Sequence, residues 1–324
     1  MDLLGPSPTV GVDLGRSTIK VAAVRGGKSP RLIRAAIHPT PDGAIEGGTV
    51  RNAPALTAAL RAVLRSSGIH RWRAVVGMGG RTALVRTVTL PSMPADELKN
   101  AVRWEAERHL PLRIDEAVLD AQVAREVTED GQRRTEVLMA AVPERDALLF
   151  YQVARDAGLN VAALEVSSLA LARTNASSGT LTAMVDIGAD ATEIVIVHPT
   201  LPPACRSLPI GSDHLAQSPP AVPGAEHEGT AAAPGLHDLV DGLAKSIDYF
   251  QAQARKEKIE RVVLTGDGVH AADVAQMLAA ELSVPVEIGD PLARLTVPDG
   301  VAQQLGNHRA SLAVAIGLAL RSFP

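Results

Sequence analysis

An α/β fold built from two duplicated halves is what this 324-residue sequence predicts. The first observation is a strand–turn–strand unit, GVDLGRSTIK over 11–20, with Asp13 and Gly15 at its turn. The second is an echo of it over 181–197, LTAMVDIGADATEIVIV. With Asp186 set on Asp13, Gly188 falls on Gly15 and Asp190 on Ser17, and the apolar strand resumes at Ile194 as it does at Val21. The period is too long for a solenoid, so it implies two similar halves. The third observation is the alternation of apolar strands with amphipathic helices along the rest of the chain.

The elements follow in order. Over 9–36, Val10, Val12 and Leu14 point one way and Gly11, Asp13 and Gly15 the other, and Ile19, Val21 and Ala23 continue an apolar face. Period-two alternation of this kind is a hairpin signal. A Pro/Gly-rich loop over 39–49 leads to a helix over 53–67 and a buried strand, RAVVGMG, over 73–79. ADELKNAVRWEAERHL (95–110) is a strong helix, with Leu98, Ala101, Val102, Glu105, Ala106 and His109 on one side. Pro111 stops it. A strand, VLMAAVP (137–143), precedes a helix over 144–157 that ends near Gly158. Residues 216–235, AQSPPAVPGAEHEGTAAAPG, have almost no large apolar groups with which to offset ordering entropy, so a mobile loop is expected there. A helix over 236–257 follows, and RVVLTGDGVH (261–270) reads as strand, glycine turn and helix start. The next helix sets Val274, Met277, Leu278 and Leu282 on its apolar side, and a small-residue helix, SLAVAIGLAL (311–320), closes the fold.

Composition excludes several classes. The net charge of −4, with no basic patch interleaved with aromatics, is no footprint for nucleic acid. The one cysteine, Cys205, rules out an intrachain disulfide and a cysteine-based zinc site. MDLLGPSPTV lacks the basic and long apolar stretches of a signal peptide. The longest apolar run near the C-terminus, LAVAIGLAL, is nine residues, against about 20 for a membrane span. A cytoplasmic location without direct membrane insertion is expected.

The hairpin turns are where chemistry would sit. Gly15 removes a Cβ where a phosphate must approach the backbone. Ser17 and Thr18 offer hydroxyls, successive turn amides form an anion nest, and Lys20 is a point charge for a phosphate. Asp13 suits a hydrated Mg²⁺, and Asp186 is its counterpart in the second half. On its own each turn reads equally as the polar tip of a surface hairpin. Two of them, one per half, fit a cleft with phosphates between. One difference between the copies matters: Glu193 stands where the first has Lys20. TGDG adds a third glycine turn, with Gly266, Asp267 and Gly268, at which a bare backbone and a helix start suit a nucleoside.

These three turns, in this order, resemble the phosphate-1, phosphate-2 and adenosine motifs of the actin and sugar-kinase superfamily. LEVSSLALA (164–172) and AVAIGLAL (313–320) look like its two connecting segments. The resemblance implies an actin-like (ribonuclease H-like) fold around a nucleotide cleft, with ATP and Mg²⁺ as ligands. By the same resemblance Asp13, Gly15, Arg16, Ser17, Thr18, Lys20, Asp186, Gly188, Ala189, Lys245, Gly266, Asp267 and Gly268 contact the nucleotide. Asp13 and Asp186 hold Mg²⁺ through water, and Glu165 and Asp186 stand as catalytic candidates. Glu165 reads equally as a solvated helix-start carboxylate.

The most specific stretch is VRTVTLPSMPADELKNAVRWEAERHLPLRIDEAVLD (85–120). It resembles the extra subdomain, 1C, of the type IV pilus assembly PilM family, relatives of the division protein FtsA. The resemblance implies binding of the N-terminal cytoplasmic tail of PilN, contact with other inner-membrane pilus components, and peripheral attachment to the inner membrane through PilN. Leu90, Trp104 and Leu110 are the expected peptide-groove residues. Self-association, and whether such a pilus serves twitching motility or DNA uptake, stay open.

The implied division is subdomain 1A over 1–81, 159–181 and 306–324; 1C over 82–158; 2A over 182–212 and 259–305; and 2B over 213–258. Departures from the pattern sit on the nucleoside side. Asp267 interrupts the glycines of the third turn, and Gly242 replaces a common acidic residue beside Asp241. ATP binding with at most slow hydrolysis is therefore expected. The alternatives are a sugar- or acetate-type kinase, for which no carbohydrate motif is found, and an FtsA-like protein. The latter has a C-terminal amphipathic helix, whereas this sequence stops at RSFP after the second connecting helix.

Overall fold

The computed structural model describes residues 8–27, 29–80, 82–174, 179–216, 234–253, 258–270, 274–282 and 284–321. The first half opens with strands β1 (Thr9–Leu14), β2 (Thr18–Arg25) and β3 (Arg31–Pro39). Within the expected loop a short ribbon forms, β4 (Ile45–Glu46) with β5 (Thr49–Val50). Helix α1 (Ala53–Ser67) and strand β6 (Arg73–Met78) follow. The inserted unit is β7 (Leu84–Pro91), α2 (Ala95–His109), β8 (Ala117–Glu129) and β9 (Gln132–Pro143). Next come α3 (Glu144–Asp156), β10 (Asn160–Val166) and α4 (Ser167–Thr174).

The second half contains β11 (Thr182–Ile187), β12 (Thr192–His198), β13 (Leu201–Leu208) and the short α5 (Ser212–Ala216). It continues with α6 (Pro234–Gln253), β14 (Arg261–Thr265), α7 (Val274–Leu282) and β15 (Val286–Ile288). Helices α8 (Asp299–Leu305) and α9 (Ala313–Ala319), joined by a 3₁₀ stretch, complete the chain. Most of the loop expected over 216–235 lies outside the described residues, as do 254–257 of the helix expected before β14.

The duplication extends to whole sheets. One has the order β3-β2-β1-β6-β10 and the other β13-β12-β11-β14-β15. In each, the first three strands are antiparallel and the last two run parallel to the third. Each half has its own apolar core. The helices read cleanly from local chemistry. Asn52 caps α1 by accepting the Ala55 N–H at 3.1 Å, and Gly68, at φ +68°, ends it. Leu56, Leu60, Val63 and Leu64 form its buried stripe.

Helices α4 and α9 cross against each other at the floor between the sheets. Backbones meet directly there, where a Cβ on Gly317 would collide with the Ala170 carbonyl, and also where α9 lies on β1, where one on Gly11 would collide with the Ala315 carbonyl. Small residues at a crossing are what this approach requires.

Two sets of packing contacts run across the implied divisions. Helix α3, assigned to the insertion, buries Ala147, Phe150, Val153 and Ala154 in the core of the first half. Leu292 and Leu305, in the span implied as 2A, pack with Ala22, Val24 and Leu32 of the first half.

Candidate functional site

The two hairpins place their chemistry through register. Asp13 lies opposite Lys20 on β1 and β2, and Asp186 opposite Glu193 on β11 and β12. Opposed residues share a face, so the acid and its partner project together. The turns themselves are superposable in their bonding. Gly15 N–H donates to the Thr18 carbonyl and Gly188 N–H to the Ala191 carbonyl, each at 3.0 Å. An added Cβ would lie 2.9 Å from the first oxygen and 3.0 Å from the second, so both hairpins favour glycine here whatever they bind.

Lys20 is buried at the centre of the cleft. Its Nζ lies 3.5 Å from Asp13 Oδ2 and 3.1 Å from Asp267 Oδ2. Thr18 Oγ1 donates to the same Asp267 oxygen at 2.7 Å, and Ser311 also hydrogen-bonds to Asp267. Thr265, at the end of β14, donates to Asp186 Oδ1 at 2.8 Å. Burial pulls the Lys20 ammonium down, but Asp13, Asp267 and Asp186 together hold its pKa above the usual lysine value. Burial likewise opposes ionisation of Asp267, yet Lys20, Thr18 and Ser311 prevail and hold it below the usual carboxylate range. Asp13 is raised, chiefly by burial, and burial pushes Asp186 up to about 6.

Further contacts cross between the halves around this centre. Arg16 Nε meets Asp213 Oδ2 at 3.1 Å. Gly47 N–H donates to Asp190 Oδ2 at 3.1 Å, and Gly80 N–H to Glu193 Oε1 at 3.1 Å. Burial raises Glu193 to about 8, so it is largely protonated at neutral pH. Beside it, Cys205 is pushed up to about 12, again by burial.

Of the expected nucleotide contacts, the structure therefore gathers Asp13, Thr18, Lys20, Asp186 and Asp267 in one cluster. Ala189 is buried behind the second turn, and its carbonyl accepts the Asp213 N–H at 2.9 Å. Gly266, at φ +93°, and Gly268 pack on Ile187 of the second hairpin, so the third turn is seated on the second. Lys245 is not in the cluster: it is 73% exposed on α6 and paired with Asp241 at 2.6 Å. Glu165 is elsewhere too. It lies near the end of β10, two strands from β1, buried and paired with Arg173 and Arg321. That placement replaces the solvated helix-start carboxylate with a clamped buried one. Among the described residues, no group of three or more His, Cys, Asp or Glu side chains is arranged to hold a metal ion.

The expected peptide-groove residues separate. Leu90 and Leu110 are buried in the insertion's own core, while Trp104 is 67% exposed on α2. A groove of about 1080 Å³ instead runs between the insertion and the first half. Val118, Leu148 and Tyr151 line it and are all exposed, and Glu165, Arg173 and Arg321 stand at its base. Sequence reading missed this groove because its walls come from β8, β9, α3, β10 and α4. It also missed Ser311 and Asp213, whose contacts with the cleft depend on tertiary packing. Thr265 was in view as the first residue of TGDG.

Two duplicated five-stranded sheets, facing each other across a charged cleft over crossed small-residue helices, define an actin-like ATPase fold. Solved structures share it. The ethanolamine utilization protein EutJ from Carboxydothermus hydrogenoformans matches with a TM-score of 0.54 at 15% identity, covering 98% of this chain and 91% of that one. A chain of the MamK double helical filament matches at 0.51 and 13%, over 97% and 99%. Within that class the assignment is specific: residues 11–218 and 223–323 match the model of the type IV pilus assembly protein PilM family, and the chain belongs to it. A chain of a solved PilM–PilN type IV pilus biogenesis complex is similar at 27% identity with a TM-score of 0.83, over 97% of this chain and 98% of that one.

Proposed function

We propose that this chain is the actin-like adaptor of a type IV pilus assembly complex, binding the cytoplasmic tail of a PilN-type membrane protein and sitting at the inner membrane through it. The observation that carries the reading is the near full-length likeness to a chain of the PilM–PilN complex, joined to an open groove of mixed apolar and charged lining able to take a peptide. No helix among the described residues is long and apolar enough to cross a membrane. Attachment through a partner's tail fits that observation.

The groove between insertion and first half is the tail site in this reading. Exposed Leu148, Tyr151 and Val118 supply apolar contact, and β8, at the edge of the order β7-β9-β8, offers its backbone to an extended segment. Trp104 stands outside the groove lining.

The cleft takes ATP in this reading. The fit is good on the phosphate side. Lys20 and the hydroxyls of Ser17 and Thr18 would hold phosphates, and Asp13 and Asp186 would hold Mg²⁺ through water. The bound ion would neutralise phosphate charge. Glu165, fixed between two arginines, is not free to activate water, which agrees with slow hydrolysis at best.

Calorimetry with a synthetic PilN-type tail peptide, with and without Mg-ATP, tests both parts. Leu148→Asp abolishes tail binding on this reading while Trp104→Ala retains it. The reverse pattern moves the site to the outer face of the insertion. Absence of heat with millimolar Mg-ATP removes the nucleotide.

A further inference from the structure

We propose that Asp267 is an internal anion that closes the cleft by binding Lys20, and that nucleotide must displace it. The inference rests on the nucleotide reading only in its second clause.

Four cross-cleft contacts among the described residues share one polarity. Asp190, Glu193, Asp213 and Asp267 all belong to the second half. Each meets a donor of the first: the Gly47 N–H, the Gly80 N–H, the Arg16 guanidinium and the Lys20 ammonium. Asp267 engages two side chains of the first hairpin. One of its oxygens takes both the Thr18 hydroxyl at 2.7 Å and the Lys20 ammonium at 3.1 Å. Those two groups, together with the Gly15 turn, make up the phosphate-binding part of the first hairpin.

A carboxylate in this position does what a phosphate oxygen would do. It neutralises the buried Lys20 ammonium and satisfies the adjacent hydroxyl, so the first hairpin has its charge balanced from within the chain. Charge-assisted hydrogen bonds to a buried partner are the strong kind. A phosphate arriving at Lys20 must either move Asp267 aside or sit beside it. The second option sets two anions on one cation, with Asp13 already 3.5 Å away. Displacement also means parting the halves, because Asp267 is carried by the turn after β14 of the second half while Lys20 is carried by β2 of the first. The glycines flanking Asp267 do not offer it another place. Both pack on Ile187, which fixes the turn and aims the side chain at β2.

The amides of Gly47 and Gly80 report the closed cleft, since each donates to a carboxylate of the opposite half. Residue-resolved hydrogen exchange on the full chain, with no nucleotide added, is the test. Asp267→Asn keeps the shape and the acceptor for Thr18 but loses the charge; Asp267→Gly removes the side chain. Both amides should exchange about tenfold faster or more in each variant than in the wild type. The Val185 amide, in the core strand β11, should be unchanged, which shows that the variants are folded. Mg-ATP affinity by calorimetry should tighten about tenfold or more in Asp267→Gly, the cost of displacement having been removed.

Unchanged exchange at Gly47 and Gly80 in both variants overturns the closure. Faster exchange with equal, measurable Mg-ATP affinities in wild type and Asp267→Gly overturns the competition. Faster exchange with no Mg-ATP binding by any of the three proteins supports the closure and removes the nucleotide reading of the cleft.

Discussion

Glu193 and Lys20 occupy equivalent places in the two hairpins and solve burial in opposite ways. Lys20 keeps its charge because three carboxylates surround it. Glu193 holds its proton up to about pH 8, because burial outweighs the bonds it accepts from Ser207 and Gly80. The folded state thus binds that proton more tightly than the unfolded chain, whose glutamate titrates near its ordinary value. Unfolding releases the proton between those two values, so stability falls as pH rises from about 4.5 to about 8 and levels off above. Thermal unfolding of the wild type and of Glu193→Gln over pH 6 to 9 checks this: the variant should lose the part of the slope below about pH 8. Lys20 gives a second expectation. Lys20→Met leaves Asp13, Asp186 and Asp267 facing one another, and should cost about 3 kcal/mol or more by urea unfolding at neutral pH. An unchanged midpoint would mean that water, and not Lys20, balances these carboxylates.

At the scale of elements, the crossing of α4 and α9 leaves no room for an added methyl group. Gly317→Ala drives a methyl group into the Ala170 carbonyl, backbone against backbone, where no side chain can yield. Overpacking of ordinary cores costs about 1–3 kcal/mol. Here the loss should lie at or above the top of that range, read as a lowered melting temperature. Elements of this kind were legible in the sequence to the extent that their signals are local. The Asp-x-Gly hairpins, the strand alternation and the Asn52-to-Gly68 span of α1 follow from neighbours in sequence. The side on which α3 packs does not, since a helix with an apolar stripe says only that it will be buried, not against what. For the same reason Leu110 looked available when read along α2, yet it is needed in the insertion's own core. Asp267 could be seen as an interruption of glycines, but its partner lies 247 positions back at Lys20 and is set by the docking of two sheets.

For the whole molecule, the groove and the cleft are linked through α4 and α9. Leu169 and Arg173 line the groove, α4 packs on α9, and the 3₁₀ stretch before α9 carries Ser311 to Asp267. If opening of the cleft shifts α4, tail affinity and nucleotide affinity change by the same factor, since coupling between two binding sites is reciprocal. Calorimetry of the tail peptide with and without Mg-ATP, and of Mg-ATP with and without the tail, should therefore give matching ratios; a tail affinity indifferent to nucleotide means that the two sites work independently.

Cys205 has a use beyond its place in the core. The chain contains one thiol, and burial keeps that thiol from ionising below about pH 12. Maleimides and iodoacetamides react with thiolates, so Cys205, held as the neutral thiol at pH 7, should label slowly in the folded wild-type protein. A pair of cysteines placed on exposed positions, one in each half, can thus carry a donor and an acceptor dye with nothing native removed. The separation of the two sheets then becomes a distance that can be followed in single molecules as nucleotide and tail are added.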